Sequence, residues 1–218
     1  MLRKKIETIC KVTALSLLFV IGSSTVTMAE PSYNDDNTPP VIIMDLAHLD
    51  TANDCGASYQ ELNERDLVNS ISEKATDILV SKGYTVILTR QPNQPIGLKD
   101  RVKLAQSSEY AYYISIHANS CPEENTGTGV ESYYNGAGAM QLGDAITDDL
   151  SNEFGLAQRG DRKSNFYTKR IQESVLIEIG FLNHIKDREI MLKNQDRIAE
   201  IIADNIDLAY QNQVLSQK

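Results

Sequence analysis

The chain has 218 residues, with 21 Lys+Arg against 30 Asp+Glu for a formal net charge of −9, and is 41% hydrophobic and 23% charged. That length holds one sizeable core and excludes a long multidomain architecture. The acidic balance is the wrong sign for gripping nucleic acid phosphates, and abundant Ile, Leu, Val and Tyr exclude wholesale disorder.

Residues 1–29 read as a secretory signal peptide. Arg3, Lys4, Lys5 and Lys11 precede an apolar run over residues 14–22, and small and polar residues follow as far as Ala29, the order of an export signal. The apolar run is about half of the roughly 20 residues a spanning helix needs, which favours cleavage; an uncleaved signal anchor is the alternative. Export places the protein outside the cell or in its envelope, with membrane contact through the signal segment only. Cleavage would remove four basic residues and Glu7, making the remainder more acidic. It would also remove Cys10 and leave Cys55 and Cys121, which an oxidising compartment would allow to bridge; two independent thiols is the other reading.

Residues 30–40 are polar and proline-bounded, a linker. A single folded domain is expected over 41–212, with a tail at 213–218. Val41, Ile42, Ile43 and Met44 form a buried-strand run. Leu67, Ile71, Ala75, Ile78 and Leu79 recur at helical spacing, with Asn63 placed to start that helix and Gly83 to end it. A strand over residues 84–89 completes a β-α-β unit. A short helix on Leu98, Val102 and Ala105 follows, then strands at residues 112–116 and 130–134. Leu142, Ala145, Ile146 and Leu150 mark a helix, residues 174–179 a strand, and Ile198, Ile201, Ile202, Ile206 and Leu208 a closing helix. This alternation predicts an α/β fold: one mostly parallel twisted sheet of about six strands, with helices on both faces.

The chemistry gathers where the apolar strands end. The first strand runs into Asp45 and His48, the third into His117 and Asn119, and the late strand is interrupted by Glu178. In open α/β sheets, sites form outside the carboxyl ends of the strands. A carboxylate inside an apolar strand carries a heavy desolvation cost unless it has a partner or a task. Two imidazoles and one carboxylate make a catalytic zinc site, with water in the open fourth position. Glu64, in the first turn of the first helix, is a candidate third ligand beside its neighbours Glu61 and Asp66. An acid at a helix N-terminus is also ordinary favourable placement, and either histidine taken singly reads equally well as a hydrogen-bonded loop or core residue.

From Val41 to about Tyr210 the chain resembles the catalytic domain of zinc-dependent N-acetylmuramoyl-L-alanine amidases. The resemblance rests on ordered landmarks: Asp45 with His48, the segment Asn63-Glu64-Arg65-Asp66-Leu67, residues 83–90, Arg101 with Val102 and Ala105, residues 115–119, Gly129-Val130-Glu131, Arg159-Gly160, and residues 176–183. It implies zinc held by His48, Glu64 and His117, with Glu178 as catalytic acid/base. It also implies a peptidoglycan or muropeptide substrate, cut between the muramic acid lactyl group and L-alanine. His184 becomes a cap or surface histidine rather than a ligand.

Two segments depart from the family pattern. The first histidine is usually set in Gly-His-Gly-Gly, and here it lies in Ala47-His48-Leu49-Asp50. Glycine permits tight backbone turns that side chains obstruct, so Leu49 and Asp50 are expected to reshape the pocket floor or to add a second carboxylate beside the metal. The family's Val-Leu-Arg becomes Thr168-Lys169-Arg170. A catalytically silent wall-binding or regulatory module is the competing reading from another class, and a zinc peptidase or deacetylase the competing enzyme. No nucleic acid partner is expected, and the sequence identifies no protein activator.

Overall fold

Branched apolar residues dominate the strand runs, and their alternation decides which face each side chain enters. The computed structural model describes residues 40–48, 55–91 and 94–216. The expected signal peptide, nearly all of the linker, Leu49 and Asp50 lie outside them. In chain order the elements are β1 (Val41–Asp45), a small antiparallel hairpin of β2 (Ser58–Tyr59) and β3 (Leu62–Asn63), α1 (Glu64–Ser81), β4 (Thr85–Leu88), α2 (Leu98–Gln106), β5 (Tyr112–Asn119) and β6 (Val130–Asn135). There follow α3 (Ala137–Phe154), β7 (Gln158–Lys163), a 3-10 turn (Tyr167–Arg170), β8 (Ser174–Phe181), α4 (Ile185–Lys193) and α5 (Gln195–Ser216). The last helix continues past residue 212, the expected end of the domain.

Six strands form one sheet in the order β4-β1-β5-β8-β6-β7. Every neighbouring pair is parallel except β6 with β8, so the predicted mostly parallel sheet is observed. Strand β7 and the β2-β3 hairpin were not legible in the sequence. Gln158-Arg159-Gly160-Asp161-Arg162-Lys163 has neither alternation nor apolar content, and it pairs only at the sheet edge, where a charged strand resists further pairing.

Ile42 and Met44 enter the larger core with Ile114, Ile116, Val175 and Ile177, under residues of α1, α3 and α5. Ile43 and Tyr113 point to the other face and pack with Val102, Ala105 and Ile171. Helices therefore cover both faces, as β-α-β alternation requires. Asn63 is the N-cap residue of α1, but its side chain makes no capping bond. Instead the Glu64 amide donates to the Ala57 carbonyl at 2.8 Å and the Arg65 amide to the Cys55 carbonyl at 3.1 Å. The loop before the helix thereby satisfies N–H groups that the first turn leaves over. Gly83, with φ of 93°, provides the left-handed residue that lets the chain leave α1 for β4.

Candidate metal centre

His117 lies on β5 and Glu178 on β8, and they are register partners across the parallel pair. Glu131 on β6 is the register partner of Glu178 on its other side. Residues paired in register share a face of the sheet, so an imidazole and two carboxylates line up across three adjacent strands. His48 comes from the turn just after β1, and Glu64 reaches in from the first residue of α1.

These residues converge. Ligand atoms of His48, Glu64 and His117 all lie within 4.8 Å of one another. Glu64 Oε1 accepts from His117 Nδ1 at 2.8 Å and from the Ala118 amide at 3.1 Å, and lies 2.9 Å from His48 Nε2. Glu64 Oε2 accepts from the Ala57 amide at 2.7 Å. The two rings meet edge to face at a centroid distance of 4.9 Å. Burial pushes the Glu64 carboxyl up, but hydrogen bonds and charge from His117 and His48 outweigh that and hold it well below the usual carboxylate range. Glu61 and Asp66, its competitors in the sequence, are exposed and outside the cluster.

The donor set fits a metal ion. Two imidazoles and a carboxylate are a zinc-type set, and His117 Nε2 is buried with no hydrogen-bond partner among the described residues. Glu178 Oε2 is likewise buried and unpartnered, a costly arrangement for a group without a task. Burial raises the Glu178 carboxyl well above the usual range, and the charges of Glu64 and Glu131 raise it further. A glycine just before the β2-β3 hairpin also shapes the cluster. At Gly56 (φ +71°), a Cβ would come within 2.3 Å of Glu64 Oε2 and 2.6 Å of His48 Nε2.

The turn carrying His48 is held from beneath. His48 itself has a left-handed φ of 62°. Buried Arg101 donates to the carbonyls of Leu46 (2.8 Å) and His48, and its Nη1 pairs with Asp45 Oδ1 at 2.7 Å. Arg90 donates to the carbonyls of Leu46 at 3.0 Å and Ala47 at 3.3 Å. Asp45 also accepts from Thr89 at 2.7 Å, from Ser115 at 2.8 Å and from Tyr167. In the sequence Asp45 marks a strand end, and Arg90 and Arg101 stand out only as landmarks of the family resemblance. Their shared task depends on contacts more than forty positions apart.

The remaining sequence-singled residues fall elsewhere. His184 is the N-cap of α4, its ring accepting from the Asp187 amide and lying 2.9 Å from the Asp187 carboxylate. Cys55 and Cys121 are free thiols. Thr168 is buried in the 3-10 turn, and Arg170 is exposed. A cavity of about 550 Å³ between α3 and α5 is lined by Tyr112, Leu142, Glu173 and Leu208; Tyr112 begins β5, so this cavity lies at the opposite end of the sheet from His117.

A mostly parallel sheet with imidazoles and carboxylates gathered at its strand ends defines an α/β enzyme of the strand-end type. Residues 42–207 match the family described as N-acetylmuramoyl-L-alanine amidase, and the chain belongs to that family. The uncharacterised protein YqiI of Bacillus subtilis is 30% identical over 163 residues, covering 72% of this chain and 79% of its own length. The germination-specific N-acetylmuramoyl-L-alanine amidase of the same organism is 28% identical, over 76% of this chain and 78% of its own. Among solved structures, the catalytic domain of the amidase CwlV from Bacillus (Paenibacillus) polymyxa superposes with a TM-score of 0.70 at 29% identity, covering 79% of this chain and 98% of that one.

Proposed function

We propose that this chain is a zinc-dependent amidase that cuts peptidoglycan between the muramic acid lactyl group and the L-alanine of the stem peptide. Family membership supports the amidase activity. One observation carries the assignment of the site: ligand atoms of His48, Glu64 and His117 converge within 4.8 Å while Glu178 is the register partner of His117. His48, Glu64 and His117 would hold the zinc, and Glu178 would be the catalytic acid/base.

Zinc supplies Lewis acidity toward the amide carbonyl and toward water. Glu64, kept ionised by its two imidazole partners, brings negative charge to the cation, and the Ala57 and Ala118 amides fix its orientation. Glu178 moves the proton. Its carboxylate takes one from the attacking water, and its acid form returns it to the departing alanine nitrogen. The raised proton affinity of Glu178 favours that second half. Residues 1–29 would direct export and 30–40 would link to the domain at 41–212, placing the enzyme where peptidoglycan lies. Among the described residues no helix is long and apolar enough to cross a membrane.

Defined muropeptides digested with and without chelator, followed by mass spectrometry, test this reading, together with elemental analysis of the purified protein. The expected result is zinc in the protein and chelator-sensitive release of intact stem peptide with a new alanine amino terminus. Release of acetate or of a shortened peptide would instead identify a deacetylase or a peptidase. No cleavage by zinc-loaded protein would leave a silent wall-binding module.

A further inference from the structure

Glu131, 3% exposed, is saturated with donors. Its Oε1 accepts from Asn119 Nδ2 at 2.8 Å and from the Tyr133 hydroxyl at 3.0 Å. Its Oε2 accepts from Arg159 Nε at 3.1 Å and from Arg162 Nη1 at 2.8 Å. One of these cations would neutralise the carboxylate, so the second leaves a positive charge in excess.

That excess faces outward. The Arg159 and Arg162 side chains are 38% and 46% exposed. Apart from Glu131, Arg159 donates to the Thr128 carbonyl and Arg162 to the Arg159 carbonyl. A guanidinium has five N–H donors, so each retains donors without a partner among the described residues. Aromatic rings restrain both groups: Arg159 lies 5.0 Å from the Phe181 ring centroid and Arg162 5.8 Å from that of Tyr133. Between the two arginines, Gly160 has open space where a Cβ would stand. Fixed, half-exposed guanidiniums with spare donors are suited to bidentate capture of a carboxylate, and they occur here in a strongly acidic chain.

We infer that Arg159 and Arg162, organised by Glu131, form a carboxylate-binding subsite for the peptide side of the substrate. The inference rests on the amidase reading above. In the bond to be cut the lactyl carboxyl is already consumed in the amide, so the free carboxylates of such a substrate belong to its peptide. Glu131 is the register partner of Glu178, and Arg159 and Arg162, on the next strand β7, reach back to its carboxylate, which sets the subsite more than one strand spacing of about 4.8 Å beyond the proposed proton carrier. That is more than the roughly 3.5 Å advance of one extended residue, so the carboxylate lies beyond the alanine, and the first to test is that of the residue following it.

The test uses two muropeptides identical except that this residue carries a free carboxylate in one and a primary amide in the other. Cleavage by the zinc-loaded protein is measured, as is calorimetric binding to chelator-treated protein. The parent should show a KM about tenfold lower for the acid form. The double variant Arg159→Gln/Arg162→Gln should lose that preference with kcat changed less than about twofold, and Arg162→Lys should keep part of it, as a point charge without the planar fork. The same acid-over-amide preference should appear in binding. Cleavage of both substrates with equal KM and equal binding would overturn the subsite and leave the amidase reading intact. Charge-dependent binding without any cleavage would do the reverse. If the double variant melts far below the parent, the single Arg162→Gln variant, at the more exposed position, carries the comparison.

Discussion

Glu178 stands directly opposite His117 across the parallel pair of β5 and β8. Register partners share a face and are adjacent, so the proposed ligand and the proposed proton carrier are held by sheet hydrogen bonds rather than by loops. Sites built on such rigid elements keep their geometry. Replacing Glu178 with Gln keeps the shape and removes the proton chemistry. Hydrolysis should fall by about 10²–10⁴-fold while zinc content is unchanged, measured by product release and elemental analysis. Retained turnover would remove Glu178 from its role.

The metal assignment makes a separate prediction. His117→Ala and His48→Ala should each lower zinc content, because each removes one of three protein donors. Elemental analysis after dialysis against a weak chelator checks this. Parent-like zinc in either variant would mean that the metal is held elsewhere.

Gly56→Ala tests the close approach beside the cluster. The new Cβ would stand 2.3 Å from Glu64 Oε2 and 2.6 Å from His48 Nε2, at a backbone φ of +71°. Backbone strain of this kind costs about 1–3 kcal/mol. Both the melting temperature and the zinc affinity should fall, since the atoms that must move include proposed ligands. An unchanged zinc affinity would show that the site gives way without loss.

Arg101→Met should be among the more damaging single changes. It leaves Asp45 ionised and fully buried without its cation, and breaking a buried pair costs about 3–5 kcal/mol. Because Arg101 also donates to the His48 carbonyl, the surviving folded protein should bind zinc less tightly. Arg101→Lys should recover stability in part but not the multiple carbonyl contacts of the planar guanidinium. Chemical unfolding and zinc titration separate the two effects.

Asp45 also sets an acid limit. Burial pushes its carboxyl up, but the Arg101 charge and hydrogen bonds from Tyr167, Thr89 and Ser115 hold it below its ordinary value of 3.8. A depressed folded-state value stabilises the fold fully above the unfolded value, and the contribution is lost as pH falls below 3.8 toward the folded one. Parent protein should therefore lose stability across that acid window. Asp45→Asn, already weakened at neutral pH, should show a shallower loss there in denaturation series at fixed ionic strength.

The sequence by itself determined the alternation of elements, because apolar runs and helical spacing are local and periodic. It also placed His48, His117 and Glu178 at strand ends, where chemistry in such sheets concentrates, and the family pattern singled out Glu64 from Glu61 and Asp66. Other features were decided only by tertiary structure. Strand β7 has no apolar pattern, and the antiparallel pairing of β6, which follows β5 without an intervening helix, is made with β8 from nearly forty residues further along the chain, so neither is encoded locally. The alignment of His117, Glu178 and Glu131 is a matter of strand register, which is set between strands far apart in sequence. The brace of Asp45, Arg90 and Arg101 beneath His48, and the two arginines gathered on Glu131, likewise arise only when distant polar groups are buried together and must satisfy one another.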